Sequence, residues 1–272
     1  MNETADAPIL LTDPARELVE LCTALTSGQT NLAGDAFLSQ HFDVEAWTND
    51  FYRIIMAISD RIEVVRNLVG ELELDEDFRL EMLAHIDAIR SAFTQTSFGN
   101  AWSSFGLTRL SAENVQPLKA LSGMIRPRLG YRKLSQEDVE EIRTQAAQLQ
   151  EWLAEKNLME HDFIRGLLIE ALQSFQFRLE HFQWVGIGYT LEGLREVLSA
   201  YFALERTGID PKVDPNAEAI LKKVASLVRL AFGKIQVVKD VADTGDWLLK
   251  AYGAASAIYH GAPLVRGMLS AS

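Results

Sequence analysis

Residues 158–185 read LMEHDFIRGLLIEALQSFQFRLEHFQWV, and their spacing decides the fold class. Ile164, Leu168, Ala171, Leu172, Phe175, Leu179 and Phe182 recur at three- and four-residue steps, which places them on one face of a helix. Phe163, Leu167 and Phe177 widen that face on one flank. So broad an apolar arc predicts a helix near 158–185 that is buried on more than one side and central to its fold.

The same period governs the segments on either side. Upstream, Val139, Ile142, Ala146, Leu149 and Leu153 alternate steps of three and four, a short seam of the coiled-coil kind. Ser135 to Asp138 opens it as a capping box, with aspartate in place of the usual glutamate or glutamine. Asp43 to Val69 carries Trp47, Phe51, Ile55, Ile58, Ile62, Val65 and Val69 on one stripe, and Gly70 is the expected left-handed stop. A further helix from Asp75 has Phe78, Met82, Ile86, Ile89 and Phe93 inward. Ser97–Gly106, with Trp102, is expected to be a loop. Ser111 is expected to cap a helix carrying Leu118, Leu121 and Ile125 that breaks at Pro127 and Gly130. Downstream, Gly186–Gly188 is the expected turn and Thr190 the next cap, and Gly208–Asn216 is a linker. A helix to about Val241 and a last helical stretch, Trp247 to about Tyr259, follow. Near the N-terminus, Asp13-Pro14 is an N-cap with proline at the first helical position.

These segments predict an all-α, compact antiparallel bundle of roughly eight helices joined by short connections. Residues 1–42 are expected to form a partly disordered N-terminal arm with one helix, and 43–272 the helical core domain. A chain of 272 residues buries enough surface to fold without a staple. Its single cysteine, Cys22, cannot form an internal disulfide and sits with Leu18, Leu21 and Leu25 as a small hydrophobe. No basic leader with an apolar core and no run of 18 apolar residues is found, so a cytoplasmic location and no membrane are expected. The net charge of −12 disfavours phosphate backbones and anionic lipid as general partners, which makes nucleic acid a poor partner although a local basic patch could still take one.

Two constellations carry candidate chemistry. Glu170, Arg178 and His181, with Ser174 between them, are spaced to follow one flank of the 158–185 helix, where a carboxylate, a guanidinium and an imidazole could move protons. The plainer reading is a set of surface pairs beside the core. Arg126, Arg128, Tyr131, Arg132 and Lys133 form a basic run that could grip a phosphorylated ligand or stack a base. Its plainer reading is a set of cations facing the chain's own acids. No metal and no cofactor are expected. Glu81 and His85 make only half a site, and the remaining histidines, His41, His161, His181 and His260, fall in no ligand motif. Phosphate-loop, dinucleotide and serine-elbow motifs are absent from the sequence.

The sequence therefore leans away from an enzyme. It favours a helical interaction protein, an adaptor, regulator or immunity-type inhibitor, whose partner is another protein of basic character, with self-association through the seam or the Ala/Gly-rich end as a further option. The alternative is an enzyme or binding protein for a phosphorylated ligand or nucleic acid, built on the 126–133 run and the polar flank of the central helix.

Overall fold

A computed structural model describes residues 10–156, 162–206 and 215–235. The chain is all-α. Eleven helices are present among the described residues, and the one strand pair is two residues long: β1 (Leu11–Thr12) lies antiparallel to β2 (Tyr131–Arg132). The chain divides into two packed units.

The first unit comprises Asp13–Arg128 with His181–Thr190. Its first helix, α1 (Pro14–Ala24), begins where expected, because the Asp13 carboxylate accepts the Arg16 N–H at 2.9 Å and proline occupies the first turn. It buries Leu18, Val19, Leu21 and Cys22 and packs on α3 (Asn49–Glu71). Helix α2 (Gly34–Phe42) also packs on α3 and buries Phe37, Leu38 and Phe42. The first unit thus includes residues 13–42 of the expected arm; residues 1–9 lie outside those described.

Three boundaries differ from expectation. The helix expected from Asp43 starts six residues later, at Asn49, because Asp43 takes the left-handed conformation that ends α2 and Thr48 supplies the cap, its hydroxyl accepting the Phe51 N–H. Trp47 is left outside the helix. Gly70 does not stop α3, which runs on to Glu71. The expected loop Ser97–Gly106 contains most of α5 (Gln95–Gly99) and ends on the first residue of α6 (Gly106–Arg109), with the Trp102 indole fully buried between them in sequence. Helix α4 (Glu76–Ser91) packs along α3 with Met82, Ile86 and Ile89 inward, whereas Phe78 is only partly buried. In α7 (Ala112–Leu129) Pro117 and Pro127 are both accommodated. Pro127 falls in the last turn, where it has no N–H to give the Gly123 carbonyl one turn back, and the helix closes two residues later.

The second unit takes the described parts of Met1–Thr12, Leu129–Glu180 and Leu191–Ser272. The Ser135 capping box forms as expected and opens α8 (Gln136–Glu155). The α8 seam of Ile142, Ala146, Leu149 and Leu153 is consumed in internal packing. It joins Leu168, Leu172, Phe175 and Leu179 of α9 (Asp162–Glu180) and Ile220, Val224, Leu227 and Ala231 of α11 (Pro215–Ile235) in one apolar cluster. Each fully buried large aliphatic of that kind contributes roughly 1.5–3 kcal/mol over an exposed one.

The helix expected over 158–185 is not continuous. Residues 157–161 lie outside those described, α9 ends at Glu180, and α10 (Phe182–Arg206) begins after a one-residue turn. Phe163 and Leu167, expected on a buried flank, are exposed. Gly186 does mark a break, though as a kink inside α10: its φ of 75° and ψ of 177° belong to a region that only glycine occupies cheaply. Thr190 is no N-cap. Its hydroxyl donates to the Gly186 carbonyl at 2.9 Å, one turn back, and so satisfies an acceptor next to the kink. The 208–216 linker falls mostly outside the described residues, as do the last part of the helix expected to Val241 and all of the Ala/Gly-rich stretch beyond Trp247.

Candidate functional site

The two constellations suggested by the sequence lie in different surroundings from those expected. On α9, Glu170 is exposed while Arg178 is buried, its Nη2 donating to Glu196 Oε1 at 2.7 Å. Gly193 admits this arginine, since a Cβ there would come within 2.9 Å of Arg178 Cδ. Arg178 therefore ties α9 to the later part of α10. His181 lies past the end of α9, where its carbonyl accepts the N–H groups of Trp184 and Val185 at 2.8 and 3.0 Å. The continuous polar flank expected from i, i+8, i+11 spacing is not formed, because one member is turned into the packing and another falls beyond the helix.

The basic run spans the end of one helix and a short strand. Arg126 and Arg128 close α7, and Tyr131 and Arg132 are β2. Arg126 Nε donates to Asp13 Oδ2 at 3.1 Å and its Nη2 to Ser122 Oγ at 2.8 Å. The Ser122 hydroxyl donates to the same Asp13 oxygen at 2.6 Å. Asp13 is fully buried, so this network serves the start of α1. Tyr131 is buried, and Arg132 donates to Asp138 at 3.3 Å. Arg128 and Lys133 are exposed. The plainer reading of the run thus accounts for Arg126 and Arg132.

Asp138 gathers the most charge. Besides Arg132 it receives the Ser135 N–H and hydroxyl at 3.1 and 2.9 Å, and Lys234 Nζ approaches its other oxygen at 3.0 Å. Burial pushes the carboxyl up, but these hydrogen bonds and charges outweigh it and hold the pKa below the ordinary 3.8. A carboxylate with a depressed folded pKa stabilises the fold above its unfolded pKa, and that contribution is lost as the pH falls through the folded value. Urea denaturation as a function of pH is therefore expected to show stability falling below about pH 4, with a shallower fall in Asp138→Asn, which starts from lower stability at neutral pH.

Cys22 behaves as a core residue: burial pushes its thiol up to about 12, against a smaller pull from the Arg61 charge, so it is no nucleophile. No group of three or more potential metal ligands occurs among the described residues; His85 Nε2 does lie 3.8 Å from Glu81, while its Nδ1 meets Asn114 Oδ1 at 3.1 Å. No helix among the described residues is long and apolar enough to cross a membrane.

One feature of the first unit escaped the sequence reading. Trp47 is not part of the α3 stripe. It sits just before the helix with φ of 66°, a left-handed conformation that costs a tryptophan roughly 1–2 kcal/mol. Its indole N–H donates to Asp35 Oδ2 at 2.9 Å. Asp35 is itself fixed in the first turn of α2 by the Ala36 N–H at 2.7 Å. The ring lies 5.9 Å from Phe51, 5.9 Å from Phe98 and 6.1 Å from Tyr52. Although anchored on these aromatics, Trp47 remains 46% exposed, Tyr52 47% and Met56 64%. Tyr52 and Met56 are one helical turn apart on α3, so the three side chains make an apolar corner on the surface. The sequence signal was present: Tyr52 and Met56 repeat at four residues off the buried stripe, an apolar pair that the core does not need. Around them Asp43, Glu45, Asp50 and Asp60 are exposed, against the one cation Arg53 between residues 43 and 60.

Comparisons of the chain with protein-family models, with curated proteins and with solved structures found no match.

Proposed function

We propose that this is a non-enzymatic interaction protein, an adaptor, regulator or immunity-type inhibitor, that binds a basic protein partner through the Trp47 corner, in a cytoplasmic setting. The observation that carries this reading is a tryptophan held half exposed, by a hydrogen bond to Asp35 and against backbone strain, beside exposed Tyr52 and Met56. The local structure holds Trp47 at the surface by that hydrogen bond. Tryptophan and tyrosine dominate the energetics of protein interfaces, and methionine adapts to varied partners. The acidic surround and the net charge of −12 favour a basic partner by steering and by complementarity. The alternative of a phosphorylated ligand or nucleic acid draws less support, because Arg126 and Arg132 are engaged by Asp13 and Asp138.

Affinity capture from native lysate, run in parallel with the wild type, Met56→Ser and Trp47→Ala, tests this. A protein retained by the wild type and depleted in both variants is the expected result. Identical retained proteins in all three would remove the corner from the reading, and retention of nucleotide alone would favour the alternative.

A further inference from the structure

From the shape and charge of the same corner, we infer that its occupant is an amphipathic helix with an apolar stripe and basic flanks. This rests on the interaction reading above and names the partner's chemistry. Tyr52 and Met56 stand one turn apart on α3, and Trp47 extends the line beyond the start of the helix. Tyr52 and Met56 lie about 6 Å apart along the helix axis, the spacing of apolar residues at i and i+4 on a facing helix, and the Trp47 ring centre is 6.1 Å from that of Tyr52. An extended strand would need an open sheet edge, and α3 offers none, since its backbone groups are bonded along the helix.

Charge selects the flanks. The apolar line is bordered by Asp43, Glu45 and Asp50 at one end, the last paired with Arg53 at 3.4 Å, and by Asp60 at the other, all four carboxylates exposed. A helix with lysine or arginine beside its apolar stripe meets those carboxylates. A second copy of this chain would bring its own acidic border against them, which disfavours self-association at this face. The patch is small: three aromatic or long side chains about half exposed offer on the order of 300 Å². That is well below the roughly 800 Å² per partner of a stable interface, so the complex expected is micromolar and reversible. Leu80 on α4 and Met124 on α7 stand singly, and the one other exposed pair a turn apart on a helix among the described residues, Phe163 and Leu167 on α9, has no tryptophan beside it.

The test uses a fluorescent synthetic peptide of about 18 residues, with leucine along one helical stripe and lysine elsewhere, titrated by anisotropy against the full chain at about 0.15 M salt. The wild type is expected to bind it in the micromolar range. Trp47→Ala should weaken binding at least about tenfold and Met56→Ser and Tyr52→Ser each at least about threefold. A peptide of equal charge with serine for leucine should not bind at that salt. Met56 and Tyr52 are exposed, so those variants keep the fold and the result stands even if Trp47→Ala is destabilised. Binding unchanged in Met56→Ser and Tyr52→Ser, or equally tight binding of the serine peptide, would overturn the inference, because charge alone would then be sufficient. Absence of wild-type binding would overturn it too. If that happens while affinity capture still depends on Trp47, only the occupant is wrong; if neither depends on Trp47, the interaction reading falls with it.

Discussion

Arg61→Ala is expected to lower the unfolding free energy by roughly 3–5 kcal/mol, the cost of removing one partner from a buried charge network. Arg61 is 6% exposed in the middle of α3. Its Nη1 donates to the Trp184 carbonyl at 2.6 Å and approaches the Gln183 carbonyl at 3.4 Å, and its Nη2 lies 3.7 Å from Glu17 on α1. One guanidinium thus satisfies carbonyls just ahead of the Gly186 kink and balances a mostly buried carboxylate. Alanine would remove the donor to the Trp184 carbonyl and the positive charge beside Glu17. Gly186 is part of the same device, since a Cβ there would come within 2.8 Å of Arg61 Nε and the φ of 75° would strain any side chain. Gly186→Ala should therefore cost more in the wild type than in Arg61→Ala, where the contact is gone, leaving mainly the backbone strain of roughly 1–3 kcal/mol. Urea denaturation of the two single variants and the double variant measures that coupling. Strictly additive losses, or an Arg61→Ala cost under about 1 kcal/mol, would contradict this role.

Trp102→Ala is expected to cost a similar amount, roughly 3–5 kcal/mol. The indole is fully buried, stacked on Phe37 at 5.0 Å and near Phe93 at 6.3 Å, and its N–H donates to the Leu25 carbonyl at 3.0 Å. Gly106 lies directly against the ring, where a side chain would collide with it. The backbone around it is tied in as well: the Trp102 N–H donates to Leu32 O at 2.8 Å, and the Ser103 N–H to Thr30 O at 2.7 Å. The residue plugs the connection between α1 and α2. Trp102→Phe keeps most of the ring but abandons the Leu25 carbonyl, so a loss of roughly 1–3 kcal/mol is expected for it. Thermal unfolding should rank wild type above Trp102→Phe above Trp102→Ala. A Trp102→Ala protein that melts with the wild type would show that the plug carries no stability.

Periodicity located α1, α3, α4, α8 and α9 because each of them buries a single stripe, and spacing alone reports a stripe. The Ser135 box and the Asp13-Pro14 start were legible for a related reason: their partners lie within one turn in the sequence. What escaped was non-local. Nothing near Trp102 announces that its partners are Leu25 and Phe37, and a short, glycine-flanked segment reads as a loop until those contacts are known. Trp47 was assigned to the α3 stripe because its spacing fits; the left-handed Asp43 and the hydrogen bond to Asp35 set it outside. Arg178 resembled a surface residue on α9 until Gly193 and Glu196 on α10 accounted for its burial. The 126–133 cations looked surplus in an acidic chain because Asp13 is far from them in sequence.

The most direct test of the interaction reading is calorimetric titration of the captured partner against purified wild type, Met56→Ser and Trp47→Ala. An interface centred on the Trp47 corner predicts a loss of about 2 kcal/mol for Trp47→Ala, near thirtyfold in Kd, and a smaller loss for Met56→Ser, with the fold of both variants intact by circular dichroism. Equal affinity across all three proteins would contradict it and place the binding surface elsewhere on the chain.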